Sequence, residues 1–125
     1  MNLMVSVTGV TCNDLKQTHR LENATPPVFE RLPSSVHLVE GGDAHFACRI
    51  TADPPPQVVW TRRGMVIRND DRRQLSYDPQ TGICSIAIKH LTVDDDGEYT
   101  CTAVNEAGEA SLTVNIHRQP HKQVK

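Results

Sequence analysis

The chain has 125 residues, of which 38% are hydrophobic and 22% are charged, and its formal net charge is −2. This length fits one domain with short tails, and the nearly balanced charge argues against a nucleic-acid binder that works by bulk electrostatics. No apolar run reaches the length of a membrane-spanning helix, about 18 residues. The start of the chain lacks the basic segment and the long apolar segment of a secretory signal, which favours an intracellular protein.

Residues 1–26 show no sustained hydrophobic period and run into Pro26-Pro27, so we expect a flexible N-terminal leader or linker. Asn23-Ala24-Thr25 matches the acceptor pattern for N-glycosylation, which we interpret as a chance match in a chain without a secretory route. Residues 118–125 are polar and basic, and we expect a C-terminal tail or linker there.

Residues 27–117 carry the pattern of a folded domain. Phe46 and Cys48 face one side of an alternating stretch at 44–50, and Cys84 and Ile86 do so in a second stretch at 83–89. Strands recur about every 8 to 12 residues with turn signals between them, and no segment keeps a helical period. The pattern predicts an all-β fold, an antiparallel sandwich of two sheets with seven to nine strands.

The most informative stretch is D-D-G-E-Y-T-C at residues 95–101. A tyrosine two residues before a cysteine, entered through a turn, is typical of the corner that leads into a sandwich strand. Gly97 can adopt backbone angles that other residues resist. Cys48 and Trp60 lie upstream at sandwich spacing, so we predict a structural core built on Cys48, Trp60, Tyr99 and Cys101.

These residues, with A-V-N-E-A-G at 103–108, resemble an immunoglobulin domain of the I-set type over residues 27–117. Residues 54–60, 77–82 and 104–109 are similar to stretches in titin-like, palladin and myopalladin, and myosin-light-chain-kinase-type proteins. The resemblance implies a non-enzymatic structural and protein-interaction module, without a cofactor, in a larger sarcomeric or actin-cytoskeletal protein of the cytoplasm. It also implies protein partners, sarcomeric or actin-associated, and neighbouring immunoglobulin or fibronectin-type modules in the parent chain.

The four cysteines leave two alternatives open. A Cys48–Cys101 disulfide would stabilise the fold by about 4 kcal/mol in the chain-entropy model. We prefer buried free thiols, because Cys12 and Cys84 would otherwise lack mates and an intracellular compartment is reducing. An extracellular adhesion or receptor module at the cell surface is the alternative function, and it would carry the disulfide. Cys84 is expected to be buried and unreactive.

The resemblance places Asp95 where a carboxylate often pairs with an arginine, and Arg72 and Arg73 are the candidate partners. Two interpretations are open for the arginine-rich middle of the chain, a basic patch that docks an acidic partner such as an actin filament, or a solvated face with local ion pairs. We prefer the second, since isolated surface charges are common. The residues concerned are Arg62, Arg63, Arg68, Arg72 and Arg73.

Metal and catalytic sites have little support in the sequence. The three aspartates at 94–96 do not supply the oxygens of a calcium site at loop spacing. His117 and His121 have a zinc-compatible spacing but no further ligands nearby. No nucleophile motif or phosphate-binding loop occurs. We therefore expect no catalytic residue, no metal and no cofactor.

Overall fold

The computed structural model describes residues 2–14, 24–30 and 36–118. These residues form a six-stranded sheet in the order β3-β1-β10-β9-β5-β6 and a four-stranded sheet in the order β2-β4-β8-β7. All pairings within them are antiparallel. The strands are β1 (Asn2–Asp14), β2 (Thr25–Glu30), β3 (Val36–Val39), β4 (Ala44–Asp53), β5 (Gln57–Arg62), β6 (Met65–Val66), β7 (Arg73–Tyr77), β8 (Ile83–Ile88), β9 (Gly97–Asn105) and β10 (Gly108–Arg118). The predicted antiparallel sandwich is confirmed. The described residues form ten strands instead of the seven to nine expected, and β1 is a strand that the sequence pattern did not predict.

The core lies between the inner faces of the two sheets. Alternate residues of β4, β8 and β10 are buried, as the two-residue period predicted, while His45 and Arg49 on the other face of β4 are exposed. The buried set includes Phe46, Ile86 and Leu112, and burying each such side chain contributes about 1.5–3 kcal/mol. The sandwich is therefore held together chiefly by aliphatic contacts between the sheets.

Strand β1 differs from the flexible leader expected over residues 1–26. It pairs with β10 from Leu3 opposite Arg118 to Asp14 opposite Gly108, and its first residues also pair with β3. Leu3 and Val5 are buried, which gives the strand an apolar inner face. Because its ladder partners lie about a hundred positions away in the sequence, no local period reveals the pairing.

The rest of the expected leader and tail lies largely outside the described residues. These stretches are residues 15–23, with the glycosylation pattern at Asn23, and residues 119–125.

One turn of 3₁₀ helix, Val93–Asp95, connects β8 to β9. No helix among the described residues is long and apolar enough to cross a membrane. Between β5 and β6 the chain reverses through Arg63 and Gly64, whose φ angles of 56° and 78° are those of a tight hairpin turn.

Candidate functional site

The chain enters β9 through a hydrogen-bonded corner. Thr92 caps the 3₁₀ turn Val93–Asp95. Its hydroxyl accepts from the Asp94 amide at 3.2 Å, and its own amide donates to Asp95 Oδ2 at 2.9 Å. Gly97 then takes a φ of +123°, in the region that favours glycine. The Tyr99 ring is buried, and its hydroxyl donates to the Asp95 carbonyl oxygen at 2.6 Å.

The Asp95 carboxylate is a buried charge with two arginine partners. Its side chain is only 2% exposed, so its charge needs compensation from inside the fold. Arg72 Nη2 contacts Oδ2, and Arg73 Nη2 lies 3.4 Å from Oδ1. The structure therefore uses both candidate arginines, which join β7 and the residue before it to the corner.

Arg62 braces the same corner from β5. Its Nη2 donates to the carbonyl oxygens of Asp94 and Asp96, the latter at 2.7 Å. Its guanidinium carbon lies 5.3 Å from the centroid of the Tyr99 ring, within the range of a cation–π interaction. The sequence grouped Arg62 with surface charges. Its place opposite Tyr99 in the β5–β9 ladder explains why it reaches the corner instead.

Three buried thiols meet in the core. Cys48 lies directly opposite Cys84 in the β4–β8 ladder, and Cys84 Sγ is 3.7 Å from Cys101 Sγ across the sandwich. All four cysteines are free, and Cys12 is exposed. The hydrogen bond with Cys84, together with burial, raises the pKa of Cys48 and of Cys101. Hydrogen bonds from Cys101 and Cys48 lower the pKa of Cys84. Cys84 is fully buried, as the alternation in β8 predicted.

The arginine cluster divides into two groups in the structure. Arg62, Arg72 and Arg73 are bound to the corner, as described above. Arg63 and Arg68 are exposed and form no ion pair within the described part of the chain. They flank the two residues of β6, Met65 and Val66, which are 71% and 53% exposed. We call Arg63, Met65, Val66 and Arg68 the β6 surface.

The family profile described as "Immunoglobulin I-set domain" matches residues 27–117. The chain belongs to the immunoglobulin I-set family. Outside this match lies β1, which the I-set sandwich holds within its larger sheet, between β3 and β10.

The I-set domain is similar to segments of several muscle proteins. It is 40% identical over 92 residues to titin of Drosophila melanogaster. The matched segment is 74% of this chain and, to the nearest per cent, 0% of titin. It is 39% identical over 96 residues to human myotilin, covering 76% of this chain and 19% of myotilin. Over 103 residues it is 34% identical to mouse palladin, covering 82% of this chain and 7% of palladin. The chain thus spans only a small part of these relatives.

Solved structures that contain titin domains also match this chain. The complex of titin M10 with an obscurin-like 1 immunoglobulin domain contains a chain that superposes with a TM-score of 0.66 at 28% identity, covering 78% of this chain and 99% of the matched one. The titin domains Z1Z2 in complex with telethonin superpose with a TM-score of 0.66 at 31% identity. The match covers 78% of this chain and 49% of the titin chain.

Asn105 is a structural residue of this I-set domain, and in the sequence it stood out only as part of A-V-N-E-A-G at 103–108. Its amide group donates to the carbonyl oxygens of Thr25 at 2.9 Å and Pro54 at 3.0 Å. Its Oδ1 accepts from the amides of Ala107 at 2.9 Å and Gly108 at 3.1 Å. One side chain thereby ties the β9–β10 turn to the start of β2 and to the β4–β5 loop. The Asn in V-N-E-A-G was the available signal, because asparagine commonly bonds nearby backbone in turns.

The aspartate run and the histidine pair were the groups weighed as metal ligands. Among residues 2–14, 24–30 and 36–118, no three His, Cys, Asp or Glu side chains are placed to hold a metal ion. Asp95, the middle aspartate of the acidic run, is bound to arginines instead. His121 of the zinc-compatible spacing lies outside the described residues.

Proposed function

We propose that this I-set domain is a non-enzymatic structural and protein-interaction module of a larger intracellular protein of the sarcomere or actin cytoskeleton. The charged and hydroxyl groups of its corner bond to one another and to the backbone, and so hold the sandwich together. Its outer surface, chiefly the β6 surface, docks a protein partner with an acidic face such as an actin filament. Neighbouring immunoglobulin or fibronectin-type modules flank it in the parent chain.

The proposal rests on one observation, that the five arginines fall into a group bonded to the corner and a group exposed at the surface. Three are bound inside the corner, whereas Arg63 and Arg68 stand exposed on either side of exposed apolar residues. Cations beside exposed apolar side chains provide both the charge complementarity and the buried area that a protein interface uses. The relatives support the same class of function, because the matched segment is at most 5% of titin, of smooth-muscle myosin light chain kinase and of striated muscle preferentially expressed protein kinase.

Co-sedimentation with filamentous actin tests the docking surface. We expect the chain to pellet with filaments in a salt-dependent way, and the double variant Arg63→Glu with Arg68→Glu to lose most of that binding. The matched control is Arg49→Glu with Lys89→Glu, which changes the net charge equally at exposed positions on and beside the other sheet. Equal loss of binding in both double variants would attribute the effect to net charge and contradict the proposed surface.

The compartment is tested separately by counting thiols under denaturing, non-reducing conditions. In protein isolated from its native source, alkylation followed by peptide mass spectrometry should find all four cysteines of this segment as thiols if the protein is intracellular. Two reactive thiols, together with a glycan at Asn23, would support the extracellular adhesion or receptor alternative instead.

A further inference from the structure

Strand β1 fills a groove whose two walls belong to the I-set domain. One wall is β3, whose residues Val36–Val39 pair with Asn2–Val5, and the other is β10. Because β1 is antiparallel to both, β3 and β10 run parallel to each other with β1 between them. Both walls lie essentially within residues 27–117, and the strand that fills the groove does not.

The side chains of β1 divide the strand into an anchoring half, residues 3–7, and an outer half, residues 8–12. Leu3 is 0% and Val5 is 1% exposed, and Val7 packs against the same core. The register then shifts between Val7 and Gly9, and the residues from Thr8 to Cys12 are exposed. A short aliphatic segment therefore provides the apolar contacts, while the outer half is held chiefly by backbone pairing with β10.

We propose that the groove between β3 and β10 is a strand-acceptor site, which β1 fills in cis and which β1 of a second copy of this chain fills in trans. A second copy supplies the segment that already fits, so the exchange creates the same ladder and buries the same side chains. Such an exchange is symmetric, since each copy gives one strand and receives one, and it closes as a dimer.

The covalent connection and the composition of the outer half of β1 both permit this exchange. Residues 15–24 join β1 to β2, and ten residues span up to about 33 Å when extended. Among the described residues, the outer half pairs with β10 alone, because β3 pairs with β1 only as far as Val5. Residues 8–12 contain no proline and no charge, the features that usually protect an exposed strand edge. These residues therefore carry no charge that would repel a second chain.

Disulfide trapping between full-length chains tests the exchange. Thr11 and Ser111 face each other in the β1–β10 ladder, and their hydroxyl oxygens are 2.8 Å apart. One chain carries Thr11→Cys and a second, distinguished by a tag, carries Ser111→Cys, with Cys12→Ser in both. The two are mixed over a range of concentrations, oxidised and separated on a non-reducing gel. The matched control replaces the second chain with Thr51→Cys, an exposed position on β4 of the other sheet.

We expect a cross-linked heterodimer whose yield rises with protein concentration and exceeds the control several-fold. Adding Leu3→Asp to the Thr11→Cys chain should return the yield to the control level, because a charged side chain cannot enter the buried position. A chain carrying both Thr11→Cys and Ser111→Cys reports pairing in cis. If the mixed chains never exceed the control while this double variant closes its internal disulfide, β1 is confined to its own chain and the proposal is overturned.

Discussion

Replacing Asp95 with asparagine should destabilise the domain more than any other single charge change. Asparagine keeps an oxygen for the Thr92 amide but removes the charge that faces Arg72 and Arg73. Removing one partner of a buried ion pair costs about 3–5 kcal/mol. Because Arg72 and Arg73 are 34% and 22% exposed, water can solvate them after the change. We therefore expect a loss of about 2–3 kcal/mol.

Thermal and urea unfolding at neutral pH measure this loss. For a domain of this size about 1 kcal/mol lowers Tm by about 4–8 °C, so Asp95→Asn should lower Tm by about 10–20 °C. Asp94→Asn is the matched control, since Asp94 is exposed and its carbonyl oxygen, not its carboxylate, bonds to Arg62. It should change the free energy of unfolding by no more than about 0.5 kcal/mol.

A double-mutant cycle decides whether the ion pair is the cause. Asp95→Asn combined with Arg72→Gln should show a coupling energy of about 1 kcal/mol or more. The coupling with Arg73→Gln should be smaller, because Arg73 lies 3.4 Å from Asp95 and also faces Asp70 at 3.7 Å. If Asp95→Asn proves no more costly than the Asp94 control, or if both cycles give zero coupling, the carboxylate does not hold the corner and our reasoning is wrong.

Three further predictions concern the backbone and the corner. Gly82→Ala should prevent folding or cost several kcal/mol in urea titrations, because its Cβ would lie 2.5 Å from the Ile50 carbonyl oxygen. Gly97→Ala meets nothing closer than 3.8 Å and should cost about 1–2 kcal/mol from its φ alone. Equal losses of stability in the two variants would contradict this difference. Asn105→Ala should lose about 1–3 kcal/mol, since two backbone amides and two carbonyl oxygens lose their partner, and a Tm within about 2 °C of the parent would refute that role. Burial raises the pKa of Tyr99, so the stability this group contributes is fully present below its unfolded pKa of about 10 and is lost as pH rises through the higher folded value. Tyr99→Phe should therefore lower stability at pH 7 but flatten the alkaline limb of a stability–pH curve, and an unchanged alkaline limb would exclude Tyr99 as its source.

Much of the fold follows from local patterns in the sequence. Phe46 and Cys48 on β4, and Cys84 and Ile86 on β8, are buried on the face that the alternation predicted. Half-buried strands alternate by necessity, because successive side chains point to opposite faces of a sheet. The corner was also predictable, since a tyrosine before a cysteine imposes a specific local geometry.

Long-range contacts were not predictable in the same way. Leu3, Val5 and Val7 do alternate, but Gly9 and the register shift beside it break the period. Arg62 resembles its neighbour Arg63 in the sequence, yet only Arg62 lies opposite Tyr99 and bonds the corner. Whether a charge faces solvent or a carbonyl oxygen depends on which strand lies beside it, and pairing between distant strands leaves no local trace.

The antiparallel ladder between β1 and β10 has a mechanical consequence. Its first pair joins Leu3 to Arg118, so a load applied between these two ends would open the ladder one pair at a time. Once β1 is detached, the load passes to Thr25 at the opposite end of the sandwich, where Asn105 holds it, and acts along the strands in shear. Residues 2–24 would lengthen the chain by up to about 80 Å before the sandwich itself bears the force. The domain would thus extend in two stages, a compliant one from a single strand and a stiff one from the immunoglobulin core.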